Sequence, residues 1–206
     1  MKIRPVVLCG GAGTRLWKKS QNNQAKQFIN FGGWSLLEKT LMRIKGPIYD
    51  YPIISTNSKY LKIIKKNLKK FKIYKYKVVL EPAKRNTAPA ILASALIKEI
   101  PNNQPLMFFP ADHLIEKINI FNKAISKNRA HLTDQNLFIF GIKPDSPSSE
   151  YGYFTTKKDK SNINKVIKFI EKPNFKKAQK IIKKKGYWNS GMFFFRKDSI
   201  INNFKK

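Results

Sequence analysis

The feature that constrains the fold most is the regular alternation of apolar, strand-like segments with amphipathic, helix-like segments. The first segment, Ile3–Cys9, runs directly into glycines, and Leu106–Phe109 is apolar without interruption. Continuous apolar runs of this length are typical of strands covered on both faces of a parallel sheet. The alternation therefore predicts an α/β fold: a Rossmann-like, doubly wound, mostly parallel sheet with helices on both faces.

The segments up to residue 141 predict four helices and three further strands. Between Leu61 and Phe71 the apolar residues recur at helical spacing and lysines fill the other face, which we expect to be solvated. The other predicted helices are Trp34–Arg43, Ala88–Ile100 and Ile118–Ala130, and the other predicted strands are Pro52–Ser55, Tyr76–Leu80 and Leu137–Phe140.

The rhythm changes after Gly141, where two predicted strands follow each other with no helix between them. This pattern predicts a local antiparallel piece. The segments here are strands at Tyr151–Thr155 and Ile163–Ile170, a lysine-rich helix at Phe175–Lys185 ended by Gly186, and a last strand at Trp188–Phe195. Because neither a linker nor a repeat is evident, we expect residues 1–206 to form a single domain.

The charge of the chain is extreme but does not indicate a nucleic-acid binder. Lys and Arg number 42 against 12 Asp and Glu, a formal net charge of +30. Basic patches follow phosphate backbones, yet 36 of the basic residues are lysines spread along the whole chain, whereas specific readers favour Arg. We therefore do not expect nucleic acid as a partner.

Cysteine content and hydropathy exclude several other classes. The lone Cys9 permits no intrachain disulfide and no multi-cysteine metal site. No apolar run approaches the roughly 20 residues of a membrane-spanning helix, and the first apolar segment is too short for a signal peptide. We expect no membrane partner and a cytoplasmic location.

Glycines follow the first predicted strand, in the segment Gly10-Gly11-Ala12-Gly13-Thr14-Arg15. Glycines let the backbone approach a phosphate, and successive N–H groups can cradle an anion at the carboxyl end of the strands. Arg15 would add a two-pronged contact to a polyphosphate, and Lys26 a further one. The spacing matches neither the dinucleotide motif nor the P-loop, so a tight turn with an exposed Arg15 is the alternative.

Two more chemistry-bearing segments follow predicted strands. Near Glu81, a strand ends and a helix opens, so Asn86 or Thr87 either caps that helix or, with Glu81, recognises a base. Asp112 comes directly after the apolar strand, where a carboxylate can hold Mg²⁺ that bridges phosphate oxygens. The adjacent His113 is a poor ligand for so hard a cation, and we interpret it either as structural or as a residue that supports a metal ligand.

Three later segments combine a polar residue with an aromatic residue or a glycine at a strand end. They are Glu150-Tyr151-Gly152-Tyr153, Glu171-Lys172-Pro173 and Trp188-Asn189-Ser190-Gly191-Met192. Each alone is compatible with strand packing and a turn. Together they offer hydroxyl-binding partners suited to a sugar.

The motifs taken together resemble those of the bacterial mannose-1-phosphate guanylyltransferase (GDP-mannose pyrophosphorylase) family. They run in family order over nearly the whole chain. The matching segments are Gly10–Trp17, Ala25–Phe28, Glu81–Ile91, Phe109–His113, Phe140–Ile142, Tyr151–Tyr153, Phe169–Pro173 and Trp188–Phe193.

The resemblance implies the sugar nucleotidyltransferase fold and the transfer of GMP from GTP to mannose 1-phosphate, with Mg²⁺ as cofactor. By similarity, Arg15 and Lys26 would be catalytic and Asp112 would hold the metal. The residues implied for the nucleotide are Gly10, Gly11, Gly13, Thr14, Glu81, Asn86 and Thr87. Those implied for the sugar phosphate are Gly152, Glu171, Lys172 and Asn189.

The sequence also departs from the family pattern. An arginine of the family's triphosphate clamp is replaced by Gln21, and a proline by Ala25. The family continues beyond the position of Lys206 with a second metal-binding Asp, so the fold is expected to be C-terminally truncated. The open alternatives are a weak or inactive binding module, a split-enzyme subunit with a complementing C-terminal partner, a homo-oligomer, or a related transferase of different base or sugar choice.

Overall fold

The protein divides into two compact units, each described here by itself. The computed structural model describes residues 1–11, 25–82, 87–157 and 163–204. The first unit comprises Met1–Phe138 with Phe193–Lys206, and the second comprises Ile139–Met192. The single-domain expectation stays a prediction, because the division into units does not test whether they function together.

The described elements follow the predicted order, but two short strands before the first helix and a last helix at the carboxyl end were not predicted. The strands are β1 (Arg4–Leu8), β2 (Asn30–Phe31), β3 (Trp34–Ser35), β4 (Ile53–Thr56), β5 (Lys77–Leu80), β6 (Pro105–Pro110), β7 (Phe138–Ile142), β8 (Tyr153–Lys157), β9 (Lys165–Ile170) and β10 (Tyr187–Arg196). The helices are α1 (Leu36–Arg43), α2 (Leu61–Lys70), α3 (Thr87–Ala95), α4 (Ile118–Asn128), α5 (Phe175–Lys183) and α6 (Lys197–Phe204). No helix among the described residues is both long and apolar enough to cross a membrane.

The sheet of the first unit is mostly parallel, which confirms the predicted fold class. Its parallel strands lie in the order β5-β4-β1-β6. The carboxyl-terminal part of β10, Phe193–Arg196, pairs with β6 in the antiparallel direction. Because β4 lies on one side of β1 and β6 on the other, the strand order reverses between β1 and β6. Ligands of open α/β sheets bind at such a switch point, beyond the carboxyl ends of the strands.

The core of the first unit forms around β1 and β6. Leu106 to Phe109 are fully buried, as the unbroken apolar run predicts, and Phe108 stacks on Phe195 with ring centres 5.0 Å apart. On α2, Ile64 and Leu68 are buried while the lysines are exposed, so the predicted solvated lysine face is confirmed. The buried central strands give the loops at their carboxyl ends a rigid base.

Helix α3 is shorter than predicted, since it ends at Ala95 and not at Ile100. The residue before a proline avoids the helical region, and Pro101 follows Ile100. The side chain of the buried Lys197 caps the segment that follows α3. Its Nζ donates to the carbonyls of Ile97 and Ile100 at 2.9 and 2.7 Å. These contacts matter because a helix that continued to Ile100 would leave the Ile97 carbonyl without its usual donor, since Pro101 has no N–H.

The second unit contains the predicted antiparallel piece. Strands β8 and β9 pair in the antiparallel direction, and β8 also pairs with β10 through Tyr187 and Trp188. Helix α5 ends at Lys183 and not at Lys185 as predicted, and a left-handed residue, Lys185 with φ 58°, precedes Gly186. Gly186 is required for a different reason, because a Cβ there would collide with the side chain of Ile181.

Candidate active site

The glycine segment and the Asp112 segment leave the sheet side by side. At the carboxyl ends of the adjacent strands, Leu8 is paired with Pro110, and the N–H of Ala111 donates to the Leu8 carbonyl at 3.1 Å. Gly10 and Asp112 therefore lie just beyond the two strands that flank the switch point. The expected juxtaposition of glycine backbone and carboxylate is present in the structure.

Lys26 and Asp112 form an ion pair at this edge. Lys26 opens a short 3₁₀ turn, Lys26–Phe28, and its Nζ lies 3.3 Å from Oδ2 of Asp112. The two side chains are 28% and 35% exposed, so both charged groups remain accessible. The structure brings together the proposed catalytic cation and the proposed metal carboxylate.

His113 makes no hydrogen bond through Nε2 to the carboxylate of its neighbour Asp112. Its Nε2 lies 3.8 Å from Oδ1 of Asp112, beyond hydrogen-bonding distance. Burial lowers the pKa of His113, and this effect outweighs the opposing charge of Asp112. A partly buried imidazole whose charged form is disfavoured agrees with a structural role. The second histidine, His131, is exposed.

Gln27 is a residue of this site that the sequence reasoning missed. Its side chain is buried, and its Nε2 donates to the carbonyls of Cys9 and Gly11, each at 3.0 Å. In a trans peptide the C=O and the following N–H point in opposite directions, so holding the Cys9 carbonyl turns the Gly10 N–H away from Gln27. The available signal was its place directly after Lys26.

The carboxylate of Glu81 lies against Gly10. A Cβ on Gly10 would come within 2.6 Å of Oε1 of Glu81. That oxygen accepts a hydrogen bond of 2.7 Å from the hydroxyl of Ser55, at the end of β4. Ser55 was also missed, although a buried serine at a strand end was a visible signal. Thr87, a second candidate residue of that motif, is exposed and begins α3.

The pKa of the buried Cys9 thiol depends on the charges around it. Burial is the main cause that raises its pKa, and the negative charges of Glu81 and Asp112 raise it further. Two carboxylates therefore act on the carboxyl end of β1 from different sides. The edge combines glycine backbone, one accessible ammonium and two carboxylates.

The donor set at this edge suits a hard divalent cation that brings most of its own ligands. Among the described residues, no group of three or more His, Cys, Asp or Glu side chains could hold a metal. Mg²⁺, however, is commonly bound by one or two carboxylates together with water and substrate phosphates. Asp112 offers an accessible carboxylate of the required kind, so the residues present fit Mg²⁺ delivered with a nucleotide.

The second unit collects the residues proposed for the sugar phosphate. The Asn189 N–H donates to the Gly152 carbonyl at 2.7 Å, and a Cβ on Gly152 would come within 2.7 Å of Oε2 of Glu171. Lys172 has φ 39°, and its Nζ donates to Oε1 of Glu171 at 2.5 Å. Glu171 and Lys172 are exposed while Gly152 is buried. These contacts connect all four residues, with Gly152 between Asn189 and Glu171.

Some of the predicted site residues fall outside the described residues. They are Gly13, Thr14, Arg15 and Asn86. Their implied roles stay predictions.

Comparison with known proteins identifies a matching family model and several relatives of this chain. The family model described as nucleotidyl transferase matches residues 4–205. The chain is 38% identical to a mannose-1-phosphate guanylyltransferase of Escherichia coli over 93% of this chain and 43% of the relative. It is 37% identical to the mannose-1-phosphate guanylyltransferase of Salmonella montevideo over 98% of this chain and 45% of the relative. The chain thus spans less than half the length of these relatives.

The fold also matches a solved structure. The crystal structure of mannose-1-phosphate geranyltransferase from Thermus thermophilus superposes with a TM-score of 0.86 at 27% identity. The match covers 100% of this chain and 61% of that chain. The structural similarity therefore extends over the entire length of the chain.

Proposed function

The chain belongs to the nucleotidyl transferase family, and on that premise we propose that it transfers GMP from GTP to mannose 1-phosphate. The observation that carries the proposal is the ion pair of Lys26 and Asp112 beside Gly10, at the switch point of the sheet. The guanylyl and mannose specificity is taken from relatives that bear the name mannose-1-phosphate guanylyltransferase.

The proposed reaction needs no protein nucleophile. An oxygen of the mannose 1-phosphate attacks the α-phosphorus of GTP, and the bond from that phosphorus to the bridging oxygen of the β-phosphate breaks. The products are GDP-mannose and pyrophosphate. Positioning and charge neutralisation then account for the catalysis.

The residues of the first unit have distinct roles in this proposal. The Gly10 and Gly11 backbone approaches the triphosphate closely, and Lys26 neutralises charge that develops on the α-phosphate. Glu81, held by Ser55, accepts hydrogen bonds from the base or ribose. Asp112 would hold Mg²⁺, which when bound supplies positive charge to the phosphate oxygens. Arg15 completes the triphosphate contacts, with Gly13, Thr14, Asn86 and Thr87 at the nucleotide.

The residues of the second unit bind the sugar phosphate in the same proposal. The Glu171 carboxylate and the Asn189 amide are hydrogen-bonding groups suited to hydroxyls, and Lys172 provides a cation for the phosphate. The buried Gly152 keeps space for the Glu171 carboxylate. We further propose that residues 1–206 act as one nucleotidyltransferase domain in the cytoplasm, where GTP is available.

The experiment is a pyrophosphate-release assay on the purified chain with GTP, mannose 1-phosphate and Mg²⁺. We expect release that depends on all three components and that falls by roughly 100-fold or more in the Asp112→Asn variant. ATP, UTP and glucose 1-phosphate serve as substrate controls. The molecular mass measured in the same buffer distinguishes a lone chain from a homo-oligomer.

Each other outcome contradicts a defined part of the proposal. Pyrophosphate release with another nucleotide or sugar phosphate, but not with GTP and mannose 1-phosphate, overturns the specificity. GTP binding without turnover overturns the enzymatic role and favours a binding module. Equal rates in the wild type and in Asp112→Asn overturn the role of the carboxylate.

A further inference from the structure

We propose that Arg43 is a positioning residue, which holds the Asp112 segment in place through the backbone of His113. Arg43 is the last residue of α1 and carries one of the largest fully buried side chains of the protein. The inference rests on the proposed function, since it assigns Asp112 to the Mg²⁺ that accompanies GTP.

The guanidinium of Arg43 is buried, and no described residue supplies the counter-ion that buried charges normally have. It is 2% exposed, and among the described residues no carboxylate forms an ion pair with it. Its Nε and Nη1 also lack hydrogen-bond partners within the described part of the chain. Burial lowers the pKa of Arg43 to about 10, because the charged form is separated from water. A buried charge without a counter-ion is costly, so packing alone does not explain this residue.

One hydrogen bond of Arg43 has a specific target. Its Nη2 donates to the carbonyl oxygen of His113 at 2.9 Å, across 70 positions of sequence. The guanidinium also lies 5.7 Å from the ring centre of Phe109, at the end of β6. The segment that carries Asp112 is therefore held on one side by Leu8, through the N–H of Ala111, and on the other by Arg43.

Helix α1 connects this anchor to the other half of the ion pair. The helix packs against the turn Lys26–Phe28, which carries Lys26. Its amino terminus is fixed by a capping box, in which Ser35 and Glu38 exchange hydrogen bonds of 3.2 and 2.7 Å. Helix α1 thus packs against the turn that carries Lys26 and, through Arg43 at its carboxyl end, contacts the segment that carries Asp112. Arg43 is the contact that transmits the position of α1 to Asp112.

The experiment compares the wild type with Arg43→Met and Arg43→Lys in three measurements. These are the Mg²⁺ concentration for half-maximal GTP binding by titration calorimetry, GTP binding in EDTA, and the free energy of unfolding in urea. Met has a similar length and no charge, so it removes the anchor while keeping apolar volume. Lys keeps one donor with a shorter reach.

We expect Arg43→Met to need about tenfold more Mg²⁺ and Arg43→Lys about threefold more, while GTP binding in EDTA stays within about twofold. The unfolding free energy of Arg43→Met should equal or exceed that of the wild type, because an uncompensated buried charge is removed. If Arg43→Met does not fold, the Arg43→Lys arm decides.

The contradicting outcomes are separable. Parallel losses of stability and of GTP binding in EDTA indicate a merely structural residue and overturn the inference. An unchanged Mg²⁺ requirement in a folded variant overturns it as well. A wild-type protein that binds no GTP at any Mg²⁺ concentration overturns the proposed function, and the inference with it.

Discussion

The ammonium of Lys26 lies 3.3 Å from Oδ2 of Asp112, so opposite charges join the turn after the glycine segment to the end of β6. Because both side chains are partly exposed, the pair contributes only about 0–1 kcal/mol to stability. An accessible, weak pair can exchange partners easily. In the proposed reaction, Lys26 would contact the phosphate oxygens of the triphosphate and Asp112 would hold the Mg²⁺.

Replacing Lys26 should separate catalysis from stability. In Lys26→Met we expect pyrophosphate release to fall about 100-fold, since a charge that acts on the transition state is lost. The urea-unfolding free energy should change by less than about 1 kcal/mol. The matched control is Lys62→Met, on the solvated face of α2. Equal rates in Lys26→Met and Lys62→Met would refute the catalytic role.

The contact between Gly10 and Glu81 predicts a steric coupling. Gly10→Ala places a Cβ 2.6 Å from Oε1 of Glu81, whose position Ser55 holds, so we expect a loss of about 1–2 kcal/mol in unfolding free energy. In a Glu81→Ala background the same substitution should cost little, because the obstructing carboxylate is gone.

Urea unfolding of the four proteins in this double-mutant cycle measures the coupling. Gly11→Ala is a control for stability alone, since no described atom lies within 4 Å of the added Cβ. A cost that is the same with and without the Glu81 side chain would contradict the steric explanation.

The pH dependence of stability should reveal Glu38. Burial alone would raise the pKa of Glu38, but hydrogen bonds from Lys70 and Ser35 outweigh it and hold the pKa below the ordinary value of 4.5. A carboxyl with a lowered folded-state pKa stabilises the protein above its unfolded pKa and loses this effect as the pH falls through the folded value. The wild type should therefore lose stability below about pH 5.

The test is Glu38→Gln, which keeps a capping-box residue but removes the charge. We expect it to be less stable than the wild type by about 0.5–1 kcal/mol at neutral pH, with the difference vanishing in strong acid. Urea unfolding from about pH 7 to about pH 3 measures this convergence. A constant difference across that range would show that charge is not the cause.

The single-domain proposal predicts cooperative unfolding. Strand β10 contributes Phe193–Arg196 to the first unit and Tyr187–Met192 to the second, so unfolding of either unit disturbs a strand of the other. Variants that retain only Trp34 or only Trp188 would report on the two units by fluorescence. Coincident urea midpoints are expected. Midpoints that differ by more than the experimental error would mean that the units unfold separately.

Sequence periodicity was sufficient for the sheet and most helices because it is a local signal. The apolar run of β6 and the lysine face of α2 are examples, and the glycines and Asp112 could be located from their place after strands. Gln27 and Arg43 could not be assigned, because their partners lie 16 to 70 residues away in sequence. The short hairpin of β2 and β3 was missed since two-residue strands have no periodicity.

Cys9 is the only thiol of this chain, and because it is deeply buried, its reactivity measures local opening of the protein. It is 1% exposed, and burial raises its pKa, so an alkylating reagent can react only after the segment at the end of β1 opens. The rate at which Cys9 of the unmodified protein is alkylated then measures how often the segment at the end of β1 opens. A ligand that binds at the end of β1 should lower this labelling rate, and no engineered probe is needed to measure it.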